Sequence, residues 1–97
     1  MPDAERLAAD PRLAAARAAA RSDAAGAVER LTALLRIPSV STVPANAGDV
    51  ADAAAFVAER MRTAGLTGVR VDATARHPVV YGERIVDPAR PTVLIYG

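Results

Sequence analysis

The chain of 97 residues contains no cysteine, and this absence excludes several kinds of chemistry. Disulfide bonds, thiolate catalysis and cysteine-ligated zinc sites all require a cysteine side chain. The lack of cysteine also fits a reducing compartment. No apolar run approaches the roughly 20 residues that are needed to span a bilayer, so we expect no transmembrane helix.

The chain also contains no lysine, and its charges are balanced. All twelve basic residues are arginine, eleven residues are acidic, and the formal net charge is +1. Nucleic acids and acidic membranes require a basic excess on one face, so we expect neither as a partner. Near the N-terminus, Asp3, Glu5 and Asp10 stand where a secretory signal would be positive. We therefore expect a cytoplasmic protein.

Residues 1–21 are rich in alanine and arginine, both of which favour helices. Pro11 lacks the N–H that an internal helical residue donates, so we expect a helix to begin there. Arg17 and Arg21 lie one turn apart and could form a basic stripe, but acids and arginines balance over residues 1–30. We interpret residues 1–21 as a solvated helical extension, and a basic binding arm or a transit peptide is the alternative.

Two stretches have the apolar period of an amphipathic helix. In residues 22–36 the apolar side chains recur at i, i+3, i+4 and i+7, and Pro38 ends the helix. Residues 49–64 have the same spacing, and Gly65 supplies the left-handed residue that closes a helix. The two apolar stripes are Ala24, Ala27, Val28, Leu31, Leu34 and Leu35, then Val50, Ala53, Ala54, Val57, Met61 and Ala64.

After Gly65 the apolar period changes from 3.6 to 2. Val69, Val71 and Ala73 alternate with polar side chains, which predicts a strand with one solvated face. Residues 78–86 form a second candidate strand, in which Gly82 suggests a bulge or a break.

Residues 92–96 predict a third strand. Their four consecutive apolar side chains require cover on both faces, which is typical of a central strand in an α/β sheet. The short turn before this strand allows antiparallel pairing with the second one, whereas a doubly buried strand expects parallel neighbours. Because the chain offers no such neighbours, we predict an α/β fold of order α-α-β-β-β whose sheet is incomplete. Residues 22–97 would then be part of a larger domain.

Few side chains suggest catalysis. His77 is the only histidine, and a metal site needs three or four ligands, so we interpret His77 as a surface residue at the start of a strand. Ser39 and Ser41 lie in the loop of residues 37–48 and lack the strand–turn–helix setting of a serine nucleophile. We interpret both hydroxyls as turn or capping groups.

The remaining candidates are two acids and two tyrosines. Asp72 and Glu83 lie on different predicted strands and could approach as a carboxylate pair, although no spacing fixes that geometry. We interpret Tyr81 and Tyr96 as core or interface aromatics. The chain contains neither a P-loop nor the fingerprint G-x-G-x-x-G, so no phosphate-binding motif is predicted.

Four segments occur in a set order and spacing. They are LTALLRIPSVS (residues 31–41), AAFVAERMRTAGLTGVRV (54–71), HPVVYGER (77–84) and PTVLIYG (91–97). Together they resemble the start of the M20-type metallopeptidases, and most closely the branch of dipeptidases and acyl-amino-acid hydrolases. The resemblance covers about residues 22–97 and leaves residues 1–21 uncovered.

The resemblance implies the N-terminal part of an aminopeptidase-like α/β catalytic domain that carries two divalent metals, usually zinc. Such enzymes cleave the peptide or amide bond of dipeptides or N-acyl amino acids with metal-activated water. In the family, the strand that matches residues 93–96 leads into a His-x-Asp motif, and further ligands and a glutamate base follow. A second, smaller domain commonly mediates dimerisation.

No catalytic or metal-binding residue of the family matches a residue of this chain, His77 included, and no substrate-binding residue is identified. We therefore expect an inactive fragment that binds no zinc tightly and aggregates through its last strand. The alternative is a small self-contained α/β binding module without catalysis. Such a module would close its own core and melt cooperatively as a monomer.

Overall fold

The computed structural model describes residues 3–97, which belong to two compact units. The first unit, Met1–Arg36, is helical in its described part, and the second, Ile37–Gly97, combines a helix with a two-stranded sheet. The predicted extension of residues 1–21 begins with two residues that lie outside the described range, and its separation from residues 22–97 stays a prediction. Within residues 3–97, no helix has the length and apolar character to cross a bilayer.

Proline and aspartate set the helix boundaries in the first unit. Pro11 is the first residue of its helix, as predicted. The backbone N–H at this position has no acceptor within the helix, so a proline there costs no hydrogen bond. The Asp10 carboxylate caps this helix by accepting the backbone N–H of Arg12 at 2.8 Å. A break at Asp23 separates the next helix. The helices are α1 (Ala4–Ala8), α2 (Pro11–Ser22) and α3 (Ala24–Leu35).

The described residues of the first unit form no hydrophobic core. No residue of α1, α2 or α3 is buried. Val28, Leu31 and Leu35 of the predicted stripe are each more than half exposed. The apolar period therefore predicts the helix correctly, but the described residues leave its apolar face uncovered.

In the second unit, a loop and the 3-10 turn Pro44–Asn46 lead into α4, Ala47–Thr63. The end of α4 is a Schellman motif, in which the N–H of Leu66 donates to the Met61 carbonyl at 3.0 Å. Gly65 has a φ of 92°, which confirms the predicted left-handed residue. The motif reverses the chain, so the first strand begins directly afterwards.

Two strands form an antiparallel sheet: β1 (Thr67–Asp72) and β2 (Val79–Glu83). Arg70 pairs with Tyr81, and Val71 pairs with Val80. Because residues that stand opposite each other point to the same face, the sheet has one polar and one apolar face. The predicted strand is therefore confirmed, but the burial of its side chains does not alternate as expected, since Val71 is exposed and Asp72 is half-buried.

The irregularity of the sheet lies in β1. The register shifts between Thr67 and Arg70, where Gly68 has a φ of 58°. Thr67 pairs with Glu83 and Arg70 with Tyr81, so Gly68 and Val69 both fall opposite Gly82. The predicted irregularity therefore occurs at the level of Gly82, but the extra residue belongs to β1 and not to β2. A Cβ atom at Gly82 would lie 3.1 Å from Leu66 Cδ2 and 3.2 Å from Met61 Sδ. A methyl group at this position would therefore press on the ends of these side chains.

The apolar face of the sheet packs against α4. Among the described residues, Ala54 and Ala58 of α4 are the only buried hydrophobic ones. Val57 and Met61 of α4 and Val80 of β2 are half-buried around them. The small alanine side chains allow the helix to approach the sheet closely, and the resulting core is small.

Residues 91–97 form no strand, so the predicted order α-α-β-β-β is wrong in its last element, whereas both predicted helices of residues 22–97 are present as α3 and α4. We call residues 92–96 the apolar ribbon. The side chains of Val93, Leu94, Ile95 and Tyr96 are 80–95% exposed. A strand forms only when its backbone groups find partners, and neither described strand pairs with the ribbon. The α/β class itself is correct.

Candidate functional site

His77 lies just before β2 and contacts the loop that precedes α4. Its Nε2 lies 2.8 Å from the carbonyl oxygen of Ser41. A carbonyl oxygen can only accept, so Nε2 is the donor in this contact. Thr74 supports the turn, because its hydroxyl donates to the His77 carbonyl at 2.5 Å and accepts the N–H of Arg76 at 3.0 Å.

The contact of His77 involves the backbone of Ser41 and not its hydroxyl. A serine nucleophile needs a base that shares the hydroxyl proton, so this geometry does not activate Ser41. Ser39 lies in the same loop, where its N–H donates to the Ile37 carbonyl at 2.7 Å. Sequence reasoning missed the contact between His77 and Ser41 because they are 36 residues apart and no local pattern links them.

The polar face of the sheet carries a connected set of four side chains, which we call the polar ladder: Asp72, Arg70, Tyr81 and Glu83. Nε of Arg70 donates to the two Asp72 carboxylate oxygens at 2.8 and 3.1 Å. The Arg70 guanidinium carbon lies 4.1 Å from the centroid of the Tyr81 ring, as in a cation–π contact. The Tyr81 hydroxyl donates to Glu83 Oε2 at 2.8 Å.

The polar ladder changes the acidity of Tyr81. Its hydrogen bond to the Glu83 carboxylate raises the pKa of the Tyr81 hydroxyl above the usual value of 10, and the negative charge of Glu83 acts in the same direction. Tyr81 therefore stays protonated in neutral solution. Neither tyrosine belongs to the core, because Tyr81 lies on the polar face and Tyr96 is 95% exposed.

Asp72 and Glu83 do not form a carboxylate pair. Asp72 stands opposite Val79, and Glu83 lies four residues further along β2, roughly 13 Å away at the usual rise of a strand. Arg70 binds the Asp72 carboxylate, and Tyr81 donates to Glu83. The polar ladder is exposed and internally paired, which suits the solvated face of a sheet and not acid–base catalysis.

Arg17 and Arg21 line a shallow groove beside α1, together with Ala8, Leu13 and Ala14. Neither arginine belongs to an ion pair within residues 3–97. The groove contains no buried polar side chain, and the acids of the first unit nearly balance its arginines. The predicted basic stripe therefore has no further feature of an anion site.

The described residues do not fit the two divalent metals that the resemblance implies. Within residues 3–97, no three histidine, cysteine, aspartate or glutamate side chains lie close enough together to hold a metal ion. We therefore assign no catalytic step to a side chain of this chain.

Comparison of the chain with protein-family models, with curated proteins and with solved structures gives no match. The resemblance to the M20-type metallopeptidases therefore depends on the ordered segments alone. Two of these segments coincide with connected elements. Residues 54–71 include most of α4, the Schellman motif and most of β1, and residues 77–84 include all of β2.

Proposed function

We propose that the chain is the N-terminal part of the catalytic domain of an M20-type metal-dependent hydrolase. The proposed enzyme cleaves a peptide or amide bond in dipeptides or N-acyl amino acids, and two divalent metals, with zinc as the expected ion, supply its activated water. The metal ligands and the catalytic base are assigned to residues outside the 97-residue chain. The proposed homodimer forms through a further domain.

The exposure of the apolar ribbon is the observation that carries this proposal. Val93, Leu94, Ile95 and Tyr96 form a contiguous apolar stretch, and each is 80–95% exposed. Fully burying one such side chain contributes about 1.5–3 kcal/mol. A ribbon that is apolar on both faces therefore suits the middle of a larger sheet, and ligands bind at the carboxyl ends of such strands in open α/β sheets.

In the proposed enzyme, this chain supplies a scaffold. α4 covers the apolar face of β1 and β2, whereas the polar ladder keeps the opposite face in water. A strand pair with one solvated face belongs at the margin of a sheet. The proposed role of the hairpin is therefore to border the catalytic sheet, with the apolar ribbon towards its centre.

The codons that follow Gly97 provide the most direct test. We expect them to encode His, any residue, then Asp, because the matching strand of the family leads into that motif. The extended product should hydrolyse a dipeptide or an N-acyl amino acid, lose activity with a chelator and regain it with zinc. A different sequence at that point, with no zinc-dependent hydrolysis by the extended product, would overturn the proposal.

The 97-residue chain supplies the matching negative control. We expect no stoichiometric zinc binding in calorimetry and no hydrolysis of either substrate class, because the described residues hold no ligand cluster. Stoichiometric zinc binding by this chain would contradict the assignment of the ligands to other residues.

A further inference from the structure

We propose that residues 37–43 form a strap that opens and closes against the turn between β1 and β2, and that His77 holds it closed. The strap runs from the start of the second unit to the 3-10 turn Pro44–Asn46. In the closed state, Nε2 of His77 donates to the Ser41 carbonyl at 2.8 Å. Every contact involved lies within the second unit, so the strap does not depend on the proposed function.

The backbone hydrogen bonds of the strap are all local. The N–H groups of Ser39, Val40 and Val43 donate to the carbonyls of Ile37, Pro38 and Val40, at 2.7, 2.8 and 3.2 Å. These bonds fix the shape of the strap without attaching it to the sheet. In the described part of the chain, no backbone hydrogen bond joins the strap to β1, to β2 or to the turn between them.

Little apolar burial attaches the strap. Ile37 is half-buried, but every residue from 38 to 43 is exposed. The side chains of Val40 and Val43 are 47% and 42% exposed. Segments with few buried contacts belong to the low end of local stability in a protein. The strap can therefore move while α4 and the sheet stay folded.

Two side chains hold the strap by its carbonyl groups. Near its start, Nδ2 of Asn46 donates to the Pro38 carbonyl and to Asp49 Oδ2, both at 3.0 Å. Asn46 thus joins the strap to the beginning of α4. Among the described residues, the contact of His77 with Ser41 is the one hydrogen bond that joins the strap to the turn before β2. Loss of this contact therefore releases the strap from the hairpin.

The turn before β2 presents His77 in a fixed position. The Thr74 hydroxyl donates to the His77 carbonyl at 2.5 Å and accepts the N–H of Arg76 at 3.0 Å. Pro78 follows, and a residue before proline is restricted to extended backbone. The His77 backbone is thus ordered whether or not its side chain contacts the strap, so closing the strap costs little further conformational entropy in the turn.

The His77 contact is a single exposed hydrogen bond, so the strap opens readily. Amide hydrogen exchange, followed by NMR at one fixed pH, measures this opening. His77→Phe keeps an aromatic ring but removes the donor. It should raise the exchange rates of Ser39, Val40 and Val43 by roughly two- to tenfold, the range expected for the loss of one intramolecular hydrogen bond. The amides of α4 and of the sheet should exchange as in the unaltered chain.

Two further variants separate the donor from other effects. His77→Gln keeps a side-chain N–H donor and should restore slow exchange in the strap. Arg76→Ala changes the neighbouring side chain of the same turn, which has no ion pair within residues 3–97, and should leave exchange in the strap unchanged. Far-ultraviolet circular dichroism checks that each variant keeps the fold.

Every other result counts against the proposal. Unchanged exchange of the strap in His77→Phe would show that His77 does not hold it, and a similar rise in α4 and the sheet would show that His77 supports the whole second unit. Fast exchange in His77→Gln as well would show that the ring matters and not its N–H donor. Strap amides that exchange at the rate of an unstructured peptide in the unaltered chain would show that the strap is already open.

Discussion

The Asp10 carboxylate is the single group with the most clearly altered acidity. It caps α2 and lies 2.7 Å from Nη2 of Arg12. The side-chain hydrogen bond from Arg12, followed by the backbone hydrogen bond from the same residue, lowers the pKa of Asp10 from 3.8 to about 2. Because the folded pKa is below the unfolded one, this stabilisation is complete above 3.8 and is lost as the pH falls through about 2.

We predict that the Asp10 carboxyl titrates near pH 2 in an NMR titration and that Arg12→Ala moves its midpoint towards 3.8. The helical signal of α2 should fall over the same interval. Asp10→Asn is the matched control, because asparagine still caps the helix but does not titrate. A midpoint that Arg12→Ala leaves unchanged would contradict the proposed cause.

Gly82 is the residue whose size matters most for packing between α4 and the sheet. We predict that Gly82→Ala lowers the free energy of unfolding by about 1–3 kcal/mol, because the new methyl group overpacks the space beside Leu66, Met61 and Val69. Gly48→Ala, in the first turn of α4 with no atom near its Cβ position, should instead raise it by about 0.5–1 kcal/mol. Chemical denaturation measures the free energy of unfolding of both variants. Equal changes in the two variants would indicate that α4 and the sheet pack loosely at Gly82.

At the scale of the element, α4 is the only helix of residues 3–97 with a buried face. Ala58 is 1% exposed at the centre of that face, whereas Ala55 is exposed on the same helix. We predict that Ala58→Leu lowers the free energy of unfolding by about 1–3 kcal/mol, because the larger side chain forces α4 away from the sheet.

Ala55→Leu is the control for this prediction, since it adds the same side chain to the solvated face and should change the free energy of unfolding by less than about 0.5 kcal/mol. Both variants keep helix propensity nearly constant. Equal destabilisation by the two leucines would show that α4 does not pack through Ala58.

Elements with local signals could be predicted from the sequence. Pro11 begins α2, Gly65 closes α4, and the alternation in β1 gives a strand with one polar face. Features that depend on residues far away in the sequence could not be predicted in this way. The apolar ribbon has the composition of a strand but lacks a neighbour, and the bulge lies at Gly68 because the pairing of the two strands decides its place.

The same distinction applies to the candidate site. The sequence identifies His77 as the sole histidine, but its partner, the Ser41 carbonyl, is 36 residues away. The polar ladder also depends on register, because Arg70 contacts the Tyr81 ring only when these two residues stand opposite each other. The metal ligands and the base of the proposed hydrolase are assigned to residues outside this chain. The contacts among the described residues therefore do not test that proposal.

At the scale of the whole molecule, the two units differ in how their helices are stabilised. α1, α2 and α3 have no buried residue, whereas α4 and the sheet share a core. We predict that amide hydrogen exchange in the intact chain is slow only in α4, β1 and β2, because isolated short helices are marginal in water. Mass spectrometry of exchanged peptides measures this.

Comparable protection of α1, α2 and α3 would contradict this prediction and indicate that their apolar residues are covered in solution. Protection of the apolar ribbon at low protein concentration would have a different meaning. It would show that a single copy covers its own ribbon, as the self-contained binding module requires, and it would count against the proposed hydrolase.

The chain contains no tryptophan, so its near-ultraviolet emission arises from the two tyrosines. Tyr81 is stacked against Arg70, whereas Tyr96 extends from the ribbon with 95% of its surface in water. Acrylamide should therefore quench the phenol of Tyr96 first, and any partner that covers the ribbon should shield it. The protein thus carries an intrinsic optical probe of whether its ribbon is covered, with Tyr81 as the internal reference.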